Sequence, residues 1–172
     1  MTDNELPIVS AKSTFLDWPS PDDMALIVYI AGCMHDCKNC QSPDLQNAIQ
    51  YPGVPVEDAI EILYELAKKH RTEKIVFSGG DPLYHSIQLQ KIIDGLKEKH
   101  KFFRFCIYTG FEYEDAVKMI SGFDFIKTGK YDCEQHQVSM KDDFKMVLAS
   151  KNQKFYNAKG KLLTKNGILK FK

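Results

Sequence analysis

Three cysteines crowd into eight residues, Cys33-Met34-His35-Asp36-Cys37-Lys38-Asn39-Cys40, and nowhere else in the 172-residue chain are soft ligands so concentrated. Thiolates at C-x3-C-x2-C spacing on one short loop can converge on a single inorganic centre. Structural zinc and ordinary electron-transfer clusters take four ligands, so a [4Fe-4S] cluster held by three cysteines keeps one iron open to bind and activate a ligand. Two other readings of the same residues stay open. His35, or Cys133 from a distance, would complete a zinc site, although His35 lies between two cysteines on a tight loop; alternatively the thiols carry no metal.

A second turn with chemical potential is Ser78-Gly79-Gly80-Asp81-Pro82. Glycines there let backbone groups approach a ligand closely, and Asp81 offers a carboxylate to an ammonium group. By itself such a turn is most often only a strand-to-helix connection.

These turns need elements to position them. Ala25 to Ile30 (ALIVYI) is a short apolar run that reads as a strand buried on both faces, and Gly32 leads from it into a long loop over residues 32 to 55. Val56 to His70 has apolar residues at helical spacing, acids in its first turn and Lys68, Lys69 and His70 in its last, and is expected to be an amphipathic helix. Lys74 to Ser78 predicts a second strand, and Ser86 is placed to cap a helix carrying Leu89, Ile92, Ile93 and Leu96. Phe102 to Tyr108 predicts a third strand, Glu112 to Ile120 a helix, and Phe123 to Ile126 a fourth strand closed by Gly129. Strands alternating with helices in this way argue for parallel βαβ units.

Composition sets the remaining bounds. Apolar residues make up 44% and charged residues 27%, and Lys plus Arg balance Asp plus Glu at 23 each, so no global field favours nucleic acid or an anionic membrane. The longest apolar stretch is about half of the roughly 20 residues that span a bilayer, and MTDNELPIVS lacks the features of a secretory signal, so a cytoplasmic protein is expected. Five cysteines are too few, and odd in number, for a disulfide scaffold. One domain is expected over 1–172, with 1–24 an N-terminal arm and 151–172 a lysine-rich tail in which Asn166-Gly167 suggests a hairpin.

Taken together and in this order, the cysteine loop after the first strand and the Gly-Gly-Asp-Pro turn after the second resemble the radical S-adenosylmethionine (radical SAM) enzymes. The chain resembles more closely their branch of activating proteins for the anaerobic (class III) ribonucleoside-triphosphate reductase. That resemblance rests on Gly32 to Cys37, Ser78 to Leu83, Tyr108-Thr109-Gly110-Phe111, Gly129-Lys130-Tyr131 and Ser150-Lys151-Asn152-Gln153, and covers roughly residues 15 to 155.

The resemblance implies an α/β fold, a short open partial (β/α) barrel of parallel strands with outer helices, whose open side a loop of a protein partner enters. It implies Cys33, Cys37 and Cys40 as ligands of a [4Fe-4S] cluster. Asn39, Cys40, Gln41, Ser78, Gly79, Gly80, Asp81, Tyr108, Thr109 and Lys130 would then surround S-adenosylmethionine, with Gly79, Gly80 and Asp81 receiving its amino group. The implied activity is reductive cleavage of S-adenosylmethionine, with an external one-electron reductant, and hydrogen abstraction from a backbone glycine of the reductase. Other glycyl radical enzymes or a small molecule are the nearest alternative substrates, and a zinc-binding interaction module is the non-enzyme alternative. Two departures stand out: Phe15 to Asp23 replaces a Gly-Pro-Gly-x-Arg-like stretch, and Lys127-Thr128-Gly129 replaces Val-Asp-Gly, so that the carboxylate expected near the ligand is either missing or supplied by Asp124.

Outside these motifs, Cys106 reads as a small hydrophobe in mid-strand and Cys133 as a surface thiol. Trp18 reads as packing the arm onto the core, His35 as a surface or capping residue unless it tunes the cluster, and the tail lysines as a solvated face.

Overall fold

The computed structural model describes residues 4–21 and 23–171. Met1 to Asp3 and Asp22 of the expected arm, and Lys172 of the tail, lie outside them. The chain opens with β1 (Glu5–Leu6) and β2 (Ile8–Thr14), followed by β3 (Ala25–Ile30), β4 (Val54–Pro55) and α1 (Val56–His70). Next come β5 (Lys74–Gly79), α2 (Ser86–Lys99), β6 (Arg104–Tyr108), α3 (Tyr113–Met119) and β7 (Phe125–Thr128). The C-terminal part adds β8 (Met140–Lys141), β9 (Lys145–Val147), β10 (Lys154–Asn157), β11 (Thr164–Lys165) and β12 (Ile168–Lys170).

The central sheet has six strands in the order β10-β7-β6-β5-β3-β2. Its middle strands β3, β5, β6 and β7 are parallel, as the alternating pattern predicts. Its edges differ from an all-parallel array: β2 runs antiparallel to β3, and β10 antiparallel to β7. The expected arm is therefore in large part an edge strand. Its alternating Val9-Ser10-Ala11-Lys12 pattern suits such a place, with one side facing solvent. Among the described residues the strands form an open sheet.

Because side chains alternate along a strand, the sheet presents two different faces. Leu26, Val28, Ile30, Ile75, Phe77, Phe105, Ile107 and Ile126 point to one face, where they pack with Ala59, Leu63 and Ala67 of α1, four apolar residues of α2 and Ala116 of α3. Each fully buried aliphatic side chain there contributes about 1.5–3 kcal/mol of transfer free energy. The opposite face carries Ile27, Val76, Cys106 and Phe125, covered by Trp18 from the arm and by Met146, Leu148, Phe155 and Leu169 from the C-terminal part. Cys106 is fully buried there, as its mid-strand position predicts.

The tail thus contributes Phe155 and Leu169 to a second core. Its strands β11 and β12 join β8 and β9, which precede it, in a four-stranded antiparallel sheet, and β11 turns into β12 at Asn166-Gly167, where positive φ values of 51° and 69° suit a two-residue hairpin loop.

Element boundaries shift where polar groups intervene. Strand β6 begins at Arg104 because Phe102, 58% exposed, belongs to the preceding turn. Strand β7 begins at Phe125 and runs through Lys127 and Thr128, since Asp124 turns back to accept hydrogen bonds from Arg104 Nε at 3.1 Å and Phe105 N at 2.9 Å. Ser86 is the first residue of α2 and makes no capping hydrogen bond; a 3-10 turn over Pro82–His85 precedes it, capped by Asp81.

Trp18 is 1% exposed, edge-on to Phe125 at 5.5 Å between ring centroids. Trp18→Ala is expected to cost about 3–5 kcal/mol of stability, measured by urea unfolding; a loss below about 1 kcal/mol would mean that the arm is not part of this core.

Candidate iron-sulfur and ligand site

The parallel strands end on the same side of the molecule, where open α/β sheets place their ligands. Three loops meet there: the cysteine loop after β3, the Gly-Gly-Asp turn after β5 and Thr109-Gly110 after β6. The backbones of the first two are stitched together, Gly80 N donating to Ile30 O at 2.8 Å and Asp81 N to Gly32 O at 2.8 Å. Gly32 N and Cys33 N in turn donate to Leu45 O and Gln46 O, which folds the loop back on itself. This closeness explains the two glycines: a Cβ on Gly79 would lie 2.2 Å from Ile30 O, with φ at +125°, and one on Gly80 would lie 2.5 Å from Leu45 O.

Asp81 is the hub of the meeting point. It is 1% exposed, and one carboxylate oxygen accepts from Leu83 N at 3.0 Å. The other accepts from His35 Nε2 at 2.6 Å, Thr109 Oγ1 at 2.9 Å and Gly110 N at 2.8 Å. Both oxygens are thus committed within the protein, and the carboxylate stands behind the pocket wall instead of facing a ligand ammonium. His35 comes from inside the cysteine loop and also packs edge-on against Phe111 at 4.8 Å and obliquely against Tyr84 at 5.3 Å. It is a clamp between the cysteine loop and the Gly-Gly-Asp turn, not a surface residue.

The three thiols all face one pocket of about 880 Å³, within the range of small-molecule sites, roughly 300–1,000 Å³. Positive φ at Asp36 and Asn39 curls the loop, Cys40 N donates to Cys37 O at 3.1 Å, and Ser42 N donates to Cys40 Sγ at 3.4 Å. Burial pushes the Cys33 thiol up, only partly offset by the backbone N–H of His35. A cationic cluster bound there would favour the thiolate.

Among the described residues no three His, Cys, Asp or Glu side chains are gathered around a point as ligands of one metal ion. Three thiols that share a pocket without converging on a point fit a cube whose separate irons each take one thiolate better than they fit a single zinc.

Of the residues expected around a ligand, Cys40, Gln41, Ser78, Gly79, Gly80, Tyr108, Thr109 and Lys130 line this pocket. Asn39 does not: it is exposed on the turn. Asp124 lies at the start of β7, opposite the site, and its carboxylate is used by Arg104 and Phe105, so it does not supply the carboxylate missing from Lys127-Thr128-Gly129. Cys133 is partly exposed in a short 3-10 turn and does not line the pocket.

The floor is a layer of side chains from neighbouring strands, Tyr29, Ser78, Tyr108 and Lys127. Tyr108 donates its hydroxyl to Asp17 O at 2.6 Å, drawing the N-terminal arm across one side, and burial raises its pKa well above the ordinary tyrosine value. Reading the sequence for motifs alone passes over Asp17, Tyr29 and Lys127. The signal that finds the last is its place in the inward-facing register two residues after Phe125.

The chain matches the 4Fe-4S single cluster domain family over residues 23–156, which takes in the whole cysteine loop, and it belongs to that family. Among solved structures it is similar to QueE from Escherichia coli, at 17% identity, covering 62% of this chain and 53% of that chain, with a TM-score of 0.49. The chain thus spans about half the length of that protein, and so slight a likeness carries no argument about function. Among curated proteins none matches. Among the described residues, no helix is long and apolar enough to cross a membrane.

Asp81→Asn puts an amide NH2 among donors. It is expected to cost roughly 2–3 kcal/mol and to lower the iron content of the reconstituted protein; unchanged melting temperature and iron content would show that Asp81 does not hold the loops together.

Proposed function

We propose that the chain is a cytoplasmic radical SAM enzyme that, with an external one-electron reductant, cleaves S-adenosylmethionine and generates a glycyl radical on an anaerobic ribonucleoside-triphosphate reductase. The observation that carries the first part is the shared pocket: three half-buried thiols and the bare backbone of Gly79-Gly80 face the same space. Cys33, Cys37 and Cys40 would hold a [4Fe-4S] cluster with one open iron. Such a cluster, reduced by the external donor, would supply the one electron needed to break the S–C5′ bond of S-adenosylmethionine, giving methionine and a 5′-deoxyadenosyl radical that would take a hydrogen atom from the substrate.

The chain's own residues orient and shield. Gly79 and Gly80 present their backbone to the methionine end of the ligand, Thr109 and Tyr108 shape the wall beside it, and Lys130 and Gln41 stand at its rim. The aromatic rings of Tyr84 and Phe111 pack on His35 and keep the cysteine loop in place. No titrating acid-base pair is required for the reaction.

A protein partner is supported by the mouth of the pocket, where Phe15 and Leu16 are 59% and 62% exposed and Met140 is 44% exposed. Lys141 Nζ donates to Phe15 O at 2.5 Å, so these side chains belong to one rim. Apolar side chains held in water beside a reactive pocket suit the docking of a chain segment. A second reading, a small-molecule substrate, is favoured by the C-terminal sheet, which roofs the inner face and encloses more of the pocket than an open half-barrel would.

Anaerobic reconstitution with iron and sulfide, reduction, and chromatography are expected to yield 5′-deoxyadenosine from S-adenosylmethionine in wild type and none in Cys37→Ala. Stoichiometric zinc without product would overturn the reading. With the class III reductase added, a glycyl radical signal in electron paramagnetic resonance is expected; its appearance only on a formate-lyase type enzyme, or turnover of a small molecule alone, would reassign the partner.

A further inference from the structure

Lys127 stands outside every role assigned above. Its strand is flanked by β6 on one side and β10 on the other, with Tyr108 and Phe155 as its register partners, so its inward side chain has no outlet except the pocket it lines. The ammonium lies 4.8 Å from the centroid of the Tyr108 ring. Among the described residues no carboxylate stands within ion-pair distance of it. The negative or titratable groups whose charge acts on it are Asp17 of the arm, Cys106 of β6, Asp81 and Cys37, and in spite of them burial pushes its pKa down to about 8.

Lys127 is half-buried and faces the pocket without a carboxylate partner, so the pocket is the direction from which a counter-ion can arrive. The wall has the matching bias. Lys12, Lys130 and Lys141 line it with Lys127, and Asp17 is the sole acidic lining residue among those described. In a chain of zero net charge this is a local excess of cations. A singly charged anion fits better than a phosphate dianion, which would crowd Asp17 and the thiols with negative charge.

We propose that Lys127 is the anion receptor of the pocket, its ammonium taking the carboxylate of a bound ligand. That carboxylate has two sources: the methionine end of S-adenosylmethionine, which rests on the radical SAM reading, or a second molecule that enters the pocket, which does not.

The reconstituted protein, with its lysines ¹³C-dimethylated, separates these by nuclear magnetic resonance titration. The Lys127 resonance is identified by its loss in Lys127→Gln and in the charge-keeping Lys127→Arg. It is expected to titrate near its depressed value in chloride and to move up by roughly one to three pH units with acetate or methionine at matched ionic strength, but not with methioninol. A midpoint that is the same in all four solutions, or an ordinary lysine value in chloride, would overturn the proposal. An upward shift with S-adenosylmethionine that abolishes the acetate response assigns the carboxylate to that ligand. An acetate response that persists beside it assigns the carboxylate to a second molecule. A response to acetate with none to S-adenosylmethionine would count against the radical SAM reading and leave Lys127 as the receptor.

Discussion

One buried carboxylate holds the chemical end of this molecule together. Asp81 has four donors from three separate loops, and none of them belongs to a regular strand or long helix. Loops are the part of a fold least constrained by repeating hydrogen bonds, and a buried carboxylate is costly unless fully satisfied. Here each problem solves the other: the loops supply the donors and the carboxylate fixes the loops. The spacing of the cysteines has chemical meaning only because His35, in the middle of them, is anchored to this point.

The parallel sheet makes that meeting possible by bringing three strand ends to one edge. Its two faces then diverge in purpose. One is apolar along its whole length and is sealed by helices. The other is apolar only in its lower layer, Ile27, Val76, Cys106 and Phe125, and turns polar in the next, Tyr29, Ser78, Tyr108 and Lys127. A change of two residues along each strand thus separates core from pocket, and the polar layer is tolerated because it opens to ligand and water.

Much of this was legible in the residues. The helix at Val56–His70 was readable to the residue because its apolar spacing, acidic first turn and basic last turn agree. The parallel strands were readable because a run such as Ala25 to Ile30, buried on both faces, has few other uses. Asn166-Gly167 announced its hairpin through the positive φ values that those residues accept. The cysteine loop and the Gly-Gly-Asp turn pointed to a common site, and both line it or stand at its edge. The role of Asp81 is not legible in its motif, because a carboxylate beside two glycines looks open to a ligand until its donors, distant in sequence, are placed around it. The arm and the tail were hidden for a similar reason: β2 and β10 are short or half-polar edge strands whose partners lie far along the chain. Lys127 was hidden by the motif around it, since its importance lies in which face it occupies.

Trp18 and Leu169, from opposite ends of the chain, belong to the same cluster over the inner face. The strands that accompany Leu169 are only two or three residues long, whereas the helices on the other face run to fifteen and fourteen residues. Local opening follows the least cooperative part of a structure, so the amides of this roof should exchange with solvent well before those of β3, β5 and β6. Local opening of that kind would leave the parallel sheet, the Asp81 knot and the cysteine loop folded. Opening of the pocket and global unfolding would then be separate events on separate scales of free energy.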